Sequence, residues 1–285
     1  MIVIQYQIQR DSNIFLIGDR HIGNATRDTD AWEKLVEMVH SEYDGLPPNR
    51  NYIVDHGDVI EGISSDDPRF QAEAHKDPVI KEVEYAIEDN KRTAAKTIVQ
   101  LQGNHEQKWH RFGDLAEYMC KQSGIQYGTY SCIIVYHDAN GNYLFRHHAH
   151  HGFGQIRSNA KDPDQELANK LAALKMKLKG LAGNCLVQSM GHTHQLLVNK
   201  PKEQLLEMES NGKIKREYAT AKKRDGYIHP DFRWYINTGS FTRIYSDDPI
   251  SGYVERRGYK PTDTGCAVVK VRGGSVYDID EIKFT

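Results

Sequence analysis

The chain has 285 residues, which is long enough for one large α/β domain or two small ones. Its formal net charge is −2, and 27% of its residues are charged, so no global field attracts it to nucleic acid or to a membrane. The four cysteines are scattered without a C-x-x-C pair, which excludes a disulfide framework and a thiolate metal site and favours a reducing, cytoplasmic location.

No membrane segment is predicted from the sequence. No stretch approaches the run of about 18 apolar residues that a membrane span requires. The first nine residues alternate apolar and polar side chains, as a strand does, and lack the basic start and apolar core of a signal peptide. We therefore expect no membrane partner.

Apolar strands, loops and helices alternate through the first half of the chain. Residues 1–17 predict two strands with a turn at 10–13. A helix follows, with an N-cap among residues 28–30 and an apolar stripe over 32–39. Because this strand–loop–helix order is repeated, it predicts a doubly wound α/β arrangement with functional side chains at the carboxyl ends of its strands.

Two further strands continue this pattern. The strand at 52–55 ends in His-Gly-Asp, and the strand at 97–102 ends in Gly-Asn-His-Glu. An exposed loop at 64–78 and a helix from about Val79 are predicted between them.

The second half predicts a hairpin, a helix and more strands. A short helix at 115–122 precedes a hairpin of residues 131–137 and 142–150, which turns at an Asn-Gly pair. The helix at about 164–178 carries a leucine stripe that we assign to the core, and a strand at 185–190 follows. Residues 199–233 are polar and basic and predict a protruding hairpin. We expect a single domain over 1–285 with this hairpin as an insert.

The motif that follows the second strand first indicates chemistry. Asp19 and His21 are two residues apart, and in an extended segment such residues point to the same side. A carboxylate oxygen beside an imidazole nitrogen suits a divalent transition metal. Four similar blocks follow in order, each after an apolar run: Gly57-Asp58, Gly103-Asn104-His105-Glu106, His150-His151-Gly152 and Gly191-His192-x-His194. Together they offer enough donors for two metal ions that share one carboxylate.

The ordered blocks resemble the calcineurin-like metallophosphoesterase superfamily, whose pattern is D-x-H, G-D, G-N-H-[DE], H and G-H-x-H. All five blocks are present between residues 17 and 194. The run Asn237-Thr238-Gly239-Ser240 is similar to a later turn of the family, and residues 253–259, with Pro261 and Gly265, are similar to the tails of phage and prophage members. The resemblance implies an α/β four-layer sandwich, with two mixed β-sheets flanked by helices and the site at one edge.

The resemblance also implies two divalent metal ions and their ligands. Asp58 would bridge the ions, Asp19, His21 and His194 would complete one site, and Asn104, His150 and His192 would complete the other. A hydroxide from a shared water would attack phosphorus in line, and His105 would stabilise or protonate the leaving group. Glu61 occupies the place where some members have an aspartate that pairs with this histidine. Manganese is the expected metal, with Fe, Zn, Co, Ni and Mg as alternatives.

Several assignments have alternatives. Only one histidine of the 147–151 run is required as a ligand; His150 and His151 are the candidates, and we prefer His150 and assign His151 to substrate contact. Arg20 is either a phosphate contact or a solvent-facing side chain, and Glu61 is either a catalytic partner or an ordinary solvated acid.

The expected activity is hydrolysis of phosphate esters, with phosphodiesters, such as nucleic acid or a nucleotide, as the first choice. The alternatives are a monoesterase resembling protein phosphatases, a catalytically silent binding scaffold, and nucleic-acid binding by the basic hairpin with hydrolysis secondary. The sequence does not specify the oligomeric state.

Overall fold

The structure is a computed structural model that describes residues 1–72, 74–75, 77–219, 226–245, 255, 258 and 260–284. These ranges contain mixed α/β structure with two large sheets. In chain order, the strands are β1 (Ile2–Gln7), β2 (Ser12–Ile17), β3 (Asn51–Asp55), β4 (Thr97–Gln100), β5 (Ser131–His137), β6 (Tyr143–His150), β7 (Val187–Met190), β8 (Leu196–Asn199), β9 (Gln204–Ser210), β10 (Lys213–Ala219), β11 (Trp234–Thr238), β12 (Gly265–Arg272) and β13 (Ser275–Lys283).

The α-helices of the described ranges are α1 (Thr29–Val39), α2 (Val79–Thr93), α3 (Asn104–Gln107), α4 (Leu115–Ser123) and α5 (Pro163–Leu178). Single 3-10 turns lie at Pro48–Arg50, Ala94–Lys96, His110–Phe112 and Pro230–Phe232. None of the helices in the described ranges is both long enough and apolar enough to cross a membrane.

Both large sheets are mixed. The six-stranded sheet has the order β1-β5-β6-β7-β11-β8, in which β6, β7 and β11 run parallel. The five-stranded sheet has the order β13-β12-β2-β3-β4, in which β2, β3 and β4 run parallel. Each sheet therefore has a block of parallel strands whose carboxyl ends lie at a common edge.

The two sheets pack face to face through a common core. Leu16 and Val54 of one sheet lie in the same buried cluster as Ile134 and Ile236 of the other. Because successive side chains of a strand point to opposite faces, Phe15 next to Leu16 faces outward. There it packs against helix α1 in a second buried cluster.

Helices cover the outer faces of both sheets. Trp32 and Leu35 of α1 cover the five-stranded sheet, and Leu174 and Leu178 of α5 pack with Tyr235 on the six-stranded sheet. This confirms the expectation of two mixed sheets with helices outside, and the leucine stripe contributes to the core through Leu174 and Leu178, while Leu167 is 48% exposed.

The predicted local elements are largely confirmed. The two N-terminal strands exist, but β1 lies at the edge of one sheet and β2 in the middle of the other. The hairpin after residue 131 forms between antiparallel β5 and β6. The simple doubly wound arrangement is wrong, because the strands divide between two sheets and each sheet contains antiparallel pairs.

The polar insert contains a separate two-stranded sheet of β9 and β10. Its described side chains are mostly exposed, and two of its basic groups have acidic partners: Arg216 contacts Glu207 at 3.0 Å, and Lys200 contacts Asp278 at 2.8 Å. Residues 220–225, with three of the basic side chains, lie outside the described residues, as does most of the phage-like segment 253–259.

Helix α1 is held at its N-terminus by Asp28, one of the three N-cap candidates. The Asp28 carboxylate accepts hydrogen bonds from Ala31 N at 3.0 Å, Arg243 Nη2 at 3.1 Å and Thr264 Oγ1 at 3.2 Å, and the residue is 7% exposed. A single buried side chain thus joins the helix start to two distant segments.

We predict that Asp28→Ala lowers the free energy of unfolding by about 1–2 kcal/mol, because the helix cap is lost. Asp28→Asn should lower it less, since the amide oxygen still accepts from Ala31 N. Urea titration followed by circular dichroism measures both, with Asp30→Ala in the exposed first turn as the control. Equal destabilisation by the alanine and asparagine variants would contradict the capping role.

Candidate metal centre

The five sequence blocks all lie at the carboxyl ends of strands. Asp19, Asp58 and Asn104 follow the parallel strands β2, β3 and β4, and His151 and His192 follow β6 and β7 of the other sheet. The loops of the two sheets meet: Gly191 N donates to His151 O at 2.7 Å, and His192 N donates to Asp19 Oδ2 at 2.8 Å. The site therefore spans the edge of both sheets, as the motif order predicts.

One group of donors consists of Asp19, His21 and His194. The Nε2 atoms of the two histidines lie 3.0 Å apart, and His194 Nε2 lies 3.4 Å from Asp19 Oδ1. Two nitrogens bound to one cation at about 2.1 Å would be about 3.0 Å apart in octahedral and about 3.4 Å apart in tetrahedral coordination. The spacing of this group suits a shared cation.

A second group consists of Asp58, His151 and His192, with Asn104 beside it. His151 Nε2 lies 3.4 Å from Asp58 Oδ2 and 3.0 Å from Asn104 Oδ1. The amide oxygen of Asn104 thus faces the same ring nitrogen as the carboxylate.

Asp58 connects the groups. There are three sets in which one donor atom per residue lies within 4.8 Å of the others: Asp19–His21–His194, His21–Asp58–His105 and Asp58–His151–His192. Asp58 belongs to the last two of these sets. We call Asp19, His21, Asp58, Asn104, His151, His192 and His194 the ligand cluster. These buried oxygen and imidazole donors could hold a metal ion.

Charge within the cluster favours a cation. Burial alone would raise the pKa of Asp58, but His151 and then His105 hold it well below its usual range. Burial likewise opposes a charged imidazole, yet the Asp58 carboxylate raises the pKa of His151 to about 9. In this structure the carboxylates attract protons on their histidine neighbours, and a divalent ion would replace that positive charge.

The backbone of the cluster is strained. Five of the eight non-glycine described residues with positive φ belong to it: Asp19, His21, Asp58, His192 and His194. Such conformations are costly for L-residues and concentrate at functional sites. Gly103 adds a close approach, because a Cβ there would lie 2.0 Å from Asp58 Oδ1.

The structure corrects the choice between the two neighbouring histidines. His151, not His150, faces Asp58 and Asn104. His150 Nδ1 instead accepts a hydrogen bond from Gly152 N at 2.8 Å, and its ring lies 5.4 Å from that of Phe153. The alternation of β6 was the missed signal, since its inward face carries Phe145 and Ala149, and His151 continues that series.

Arg20 also requires a correction, because it does not reach the site. Its side chain is 1% exposed, donates to Asp55 Oδ2 at 2.9 Å and Asn90 Oδ1 at 2.6 Å, and lies 4.7 Å from the Trp32 ring centre. Arg20 is thus buried next to the turn that carries Asp19 and His21. It is neither a phosphate contact nor a solvent-facing side chain.

Glu61 contacts a different histidine from the one expected. Its carboxylate lies 2.7 Å from His21 Nδ1 but 3.9 Å from His105 Nδ1, which instead donates to the Glu61 backbone carbonyl. With its Nδ1 proton donated to Glu61, His21 keeps the Nε2 lone pair directed at Asp19 and His194. Glu61 is therefore a buried orienting group, at 5% exposure, rather than a solvated acid.

Sequence reasoning missed several supporting residues. Glu106, quoted only as part of a motif, accepts hydrogen bonds from the backbone N–H groups of Val59 at 2.6 Å, Gly103 at 2.8 Å and Ile60 at 3.1 Å, and so joins two ligand loops. His56 holds His151 through its backbone carbonyl at 2.7 Å. Thr242 Oγ1 lies 3.1 Å from His194 Nδ1. Only contact across loops distinguishes these residues.

The cluster opens into a cavity of about 660 Å³. The residues His21, Asp58, Asn104, His192 and His194 line it, together with His105. Pockets of this size hold whole small-molecule ligands.

Comparison with known proteins gives no match: no model of a protein family and no curated protein matches the chain. We therefore infer a function from the order of the motifs and from the donor groups of the ligand cluster.

We predict that His151→Ala lowers the bound metal and weakens its affinity, because Asp58 and Asn104 lose the imidazole they face. His150→Ala should retain metal, since its ring points away from the cluster. Elemental analysis after gel filtration and calorimetric titration with Mn²⁺ measure both. An equal loss in the two variants would contradict the assignment of His151.

We predict that Glu61→Gln weakens metal affinity about 10–100-fold, because an amide holds the His21 ring and its tautomer less firmly than a carboxylate. Calorimetric titration with Mn²⁺ measures the change, and Glu84→Gln, an exposed glutamate on α2, is the control. Unchanged affinity in Glu61→Gln would show that His21 is oriented without Glu61.

Proposed function

We propose that the chain is a dinuclear metal-dependent phosphoesterase with a calcineurin-like fold, which hydrolyses phosphate esters and acts first on phosphodiesters. The observation that carries the proposal is the position of Asp58, whose carboxylate lies close to His151 and His192 of one donor group and close to His21 of the other. One shared carboxylate between two sets of oxygen and imidazole donors is the arrangement that a pair of divalent ions requires. The order of the five motifs along the chain supports the same class.

Two divalent cations fit the donors present. Asp19, His21 and His194 would hold one ion, Asn104, His151 and His192 would hold the other, and Asp58 would serve both. When bound, the cations would lower the pKa of a water molecule and neutralise charge on the phosphate oxygens. Oxygen and imidazole donors suit Mn²⁺, the first choice, and also Fe, Zn, Co, Ni or Mg.

His105 is the residue of the chain best placed to assist the leaving group. Its backbone N–H donates to Asp58 Oδ1 at 2.9 Å, and its ring Nδ1 donates to the Glu61 carbonyl, so one contact positions the backbone and the other orients the ring. The remaining nitrogen, Nε2, belongs to a side chain that lines the cavity. From there it can donate a proton to, or hydrogen-bond, the departing oxygen of the ester.

The full donor set favours an enzyme over a silent scaffold. Each of the seven cluster residues keeps a metal-ligating atom, and the orienting contacts of Glu61, His56 and Thr242 to cluster histidines are all made. A silent scaffold would not require the positive φ values of five cluster residues, because such costly backbone conformations concentrate at functional sites.

Turnover of bis-p-nitrophenyl phosphate by the manganese-loaded protein tests the proposal, with p-nitrophenyl phosphate as the monoester comparison. We expect the diester to be preferred. We expect Asp58→Asn to lower kcat at least about a hundredfold, because the negative carboxylate that would contact both cations becomes a neutral amide. Asp30→Asn, an exposed aspartate on α1, is the control. A preference for the monoester would reverse the substrate order. Metal-loaded protein that hydrolyses neither ester would overturn the proposal.

A further inference from the structure

The wall of the cavity is positively charged, although the chain as a whole is not. Apart from histidines, the ligand cluster and Glu61, the charged side chains among the described lining residues are five basic groups and one acid, Glu166. We call the basic groups the cationic wall: Arg69, Arg157, Lys170, Arg243 and Lys260. In a chain of net charge −2, this concentration of one sign is a local feature.

Two of the acidic side chains that contact the cationic wall are not part of the cavity lining. Arg69 contacts Asp67 at 2.8 Å and Arg243 contacts Asp28 at 3.1 Å, but neither aspartate lines the cavity. Glu166 does line the cavity, and its carboxylate contacts Lys170 Nζ at 2.8 Å and Lys260 Nζ at 2.9 Å. One carboxylate thus neutralises half of this lysine pair.

The basic hairpin, which first suggested a polyanion, is a weaker candidate. Its described residues 199–219 contain five basic and four acidic side chains. Arg216 and Lys200 already contact acids there, and the hairpin contributes no described residue to the cavity.

The cavity is larger than a single phosphate requires. Its volume of about 660 Å³ lies within the range of sites that enclose a ligand of roughly nucleotide size or more. A phosphate at the ligand cluster would fill only part of this volume, which leaves space for a second part of the substrate beside the cationic wall.

We propose that the cationic wall binds a second phosphate group of the substrate while the first lies at the ligand cluster. This rests on the proposed phosphoesterase function and names its substrate class: esters with at least two phosphate groups. Lys170 and Lys260 carry the main contacts, because the single Glu166 carboxylate neutralises only half of this pair and lysine forms charge-assisted hydrogen bonds to phosphate oxygens. Glu166 sets the strength of the contact, since it competes with the phosphate for Lys170 and Lys260. An oligonucleotide or a dinucleoside polyphosphate could supply this chemistry.

The ratio of two kcat/KM values tests the inference in the manganese-loaded protein. The numerator is a short oligothymidylate or, in a separate arm, a dinucleoside tetraphosphate; the denominator is the p-nitrophenyl ester of thymidine 5′-monophosphate, which has one phosphate. The double variant Lys170→Gln/Lys260→Gln should lower the ratio at least about tenfold. Glu166→Gln should raise it. The arm with the larger ratio identifies the source of the second phosphate.

Lys200→Gln/Arg216→Gln on the hairpin is the matched control, because it removes the same number of charges and should leave the ratio unchanged. Binding of fluorescein-labelled oligothymidylate, followed by anisotropy, gives a second readout, and loss of two contacts should reduce the log–log salt slope by about 1.4. A ratio that falls in the hairpin variant, or in neither variant, would overturn the inference and leave the phosphoesterase intact. If the protein turns over no substrate but the wall variant still binds oligothymidylate more weakly in the anisotropy experiment, only the phosphoesterase proposal would be refuted.

Discussion

The buried carboxylates of Asp19 and Asp58 are the constraint on which the site depends. Their residues are at most 1% exposed, and a buried negative charge is costly unless positive charge or hydrogen bonds compensate it. The protein surrounds them with His21, His151 and His194, and with backbone N–H groups from the neighbouring loops. The donor atoms gathered in this way could hold a metal ion.

The convergence is maintained by groups that do not themselves face the cavity. Glu106 holds the Asp58 loop to the Asn104 loop, and Arg20, anchored on Asp55, holds the first ligand turn over β3. Such ties are needed because five cluster residues adopt costly backbone conformations, which persist only where the surroundings determine them. The rigid edge of a two-sheet sandwich supplies that framework.

The distribution of charge gives the site two zones. Carboxylates and imidazoles of the ligand cluster line the cavity together with the basic side chains of the cationic wall. A metal-loaded ligand cluster and the cationic wall together would attract anions into a cavity of a chain that is close to neutral overall. The hairpin of β9 and β10, with nearly balanced charges over its described residues, lies apart from this field.

The sequence by itself determined the strands, the motif order and most of the donors, because these depend on short-range patterns: an apolar run followed by Asp19-x-His21, or by Gly-Asn104-His105. It also placed those donors at strand carboxyl ends, since parallel strands share that edge. Only the tertiary structure decided between His150 and His151, which strand alternation could have separated, and showed that Glu61 orients His21 and that Arg20 is buried. It also showed that five basic side chains line the cavity, which the sequence did not predict. The roles of Glu61 and Arg20 depend on contacts between residues far apart in the chain, and a local pattern does not show which side chains meet across loops.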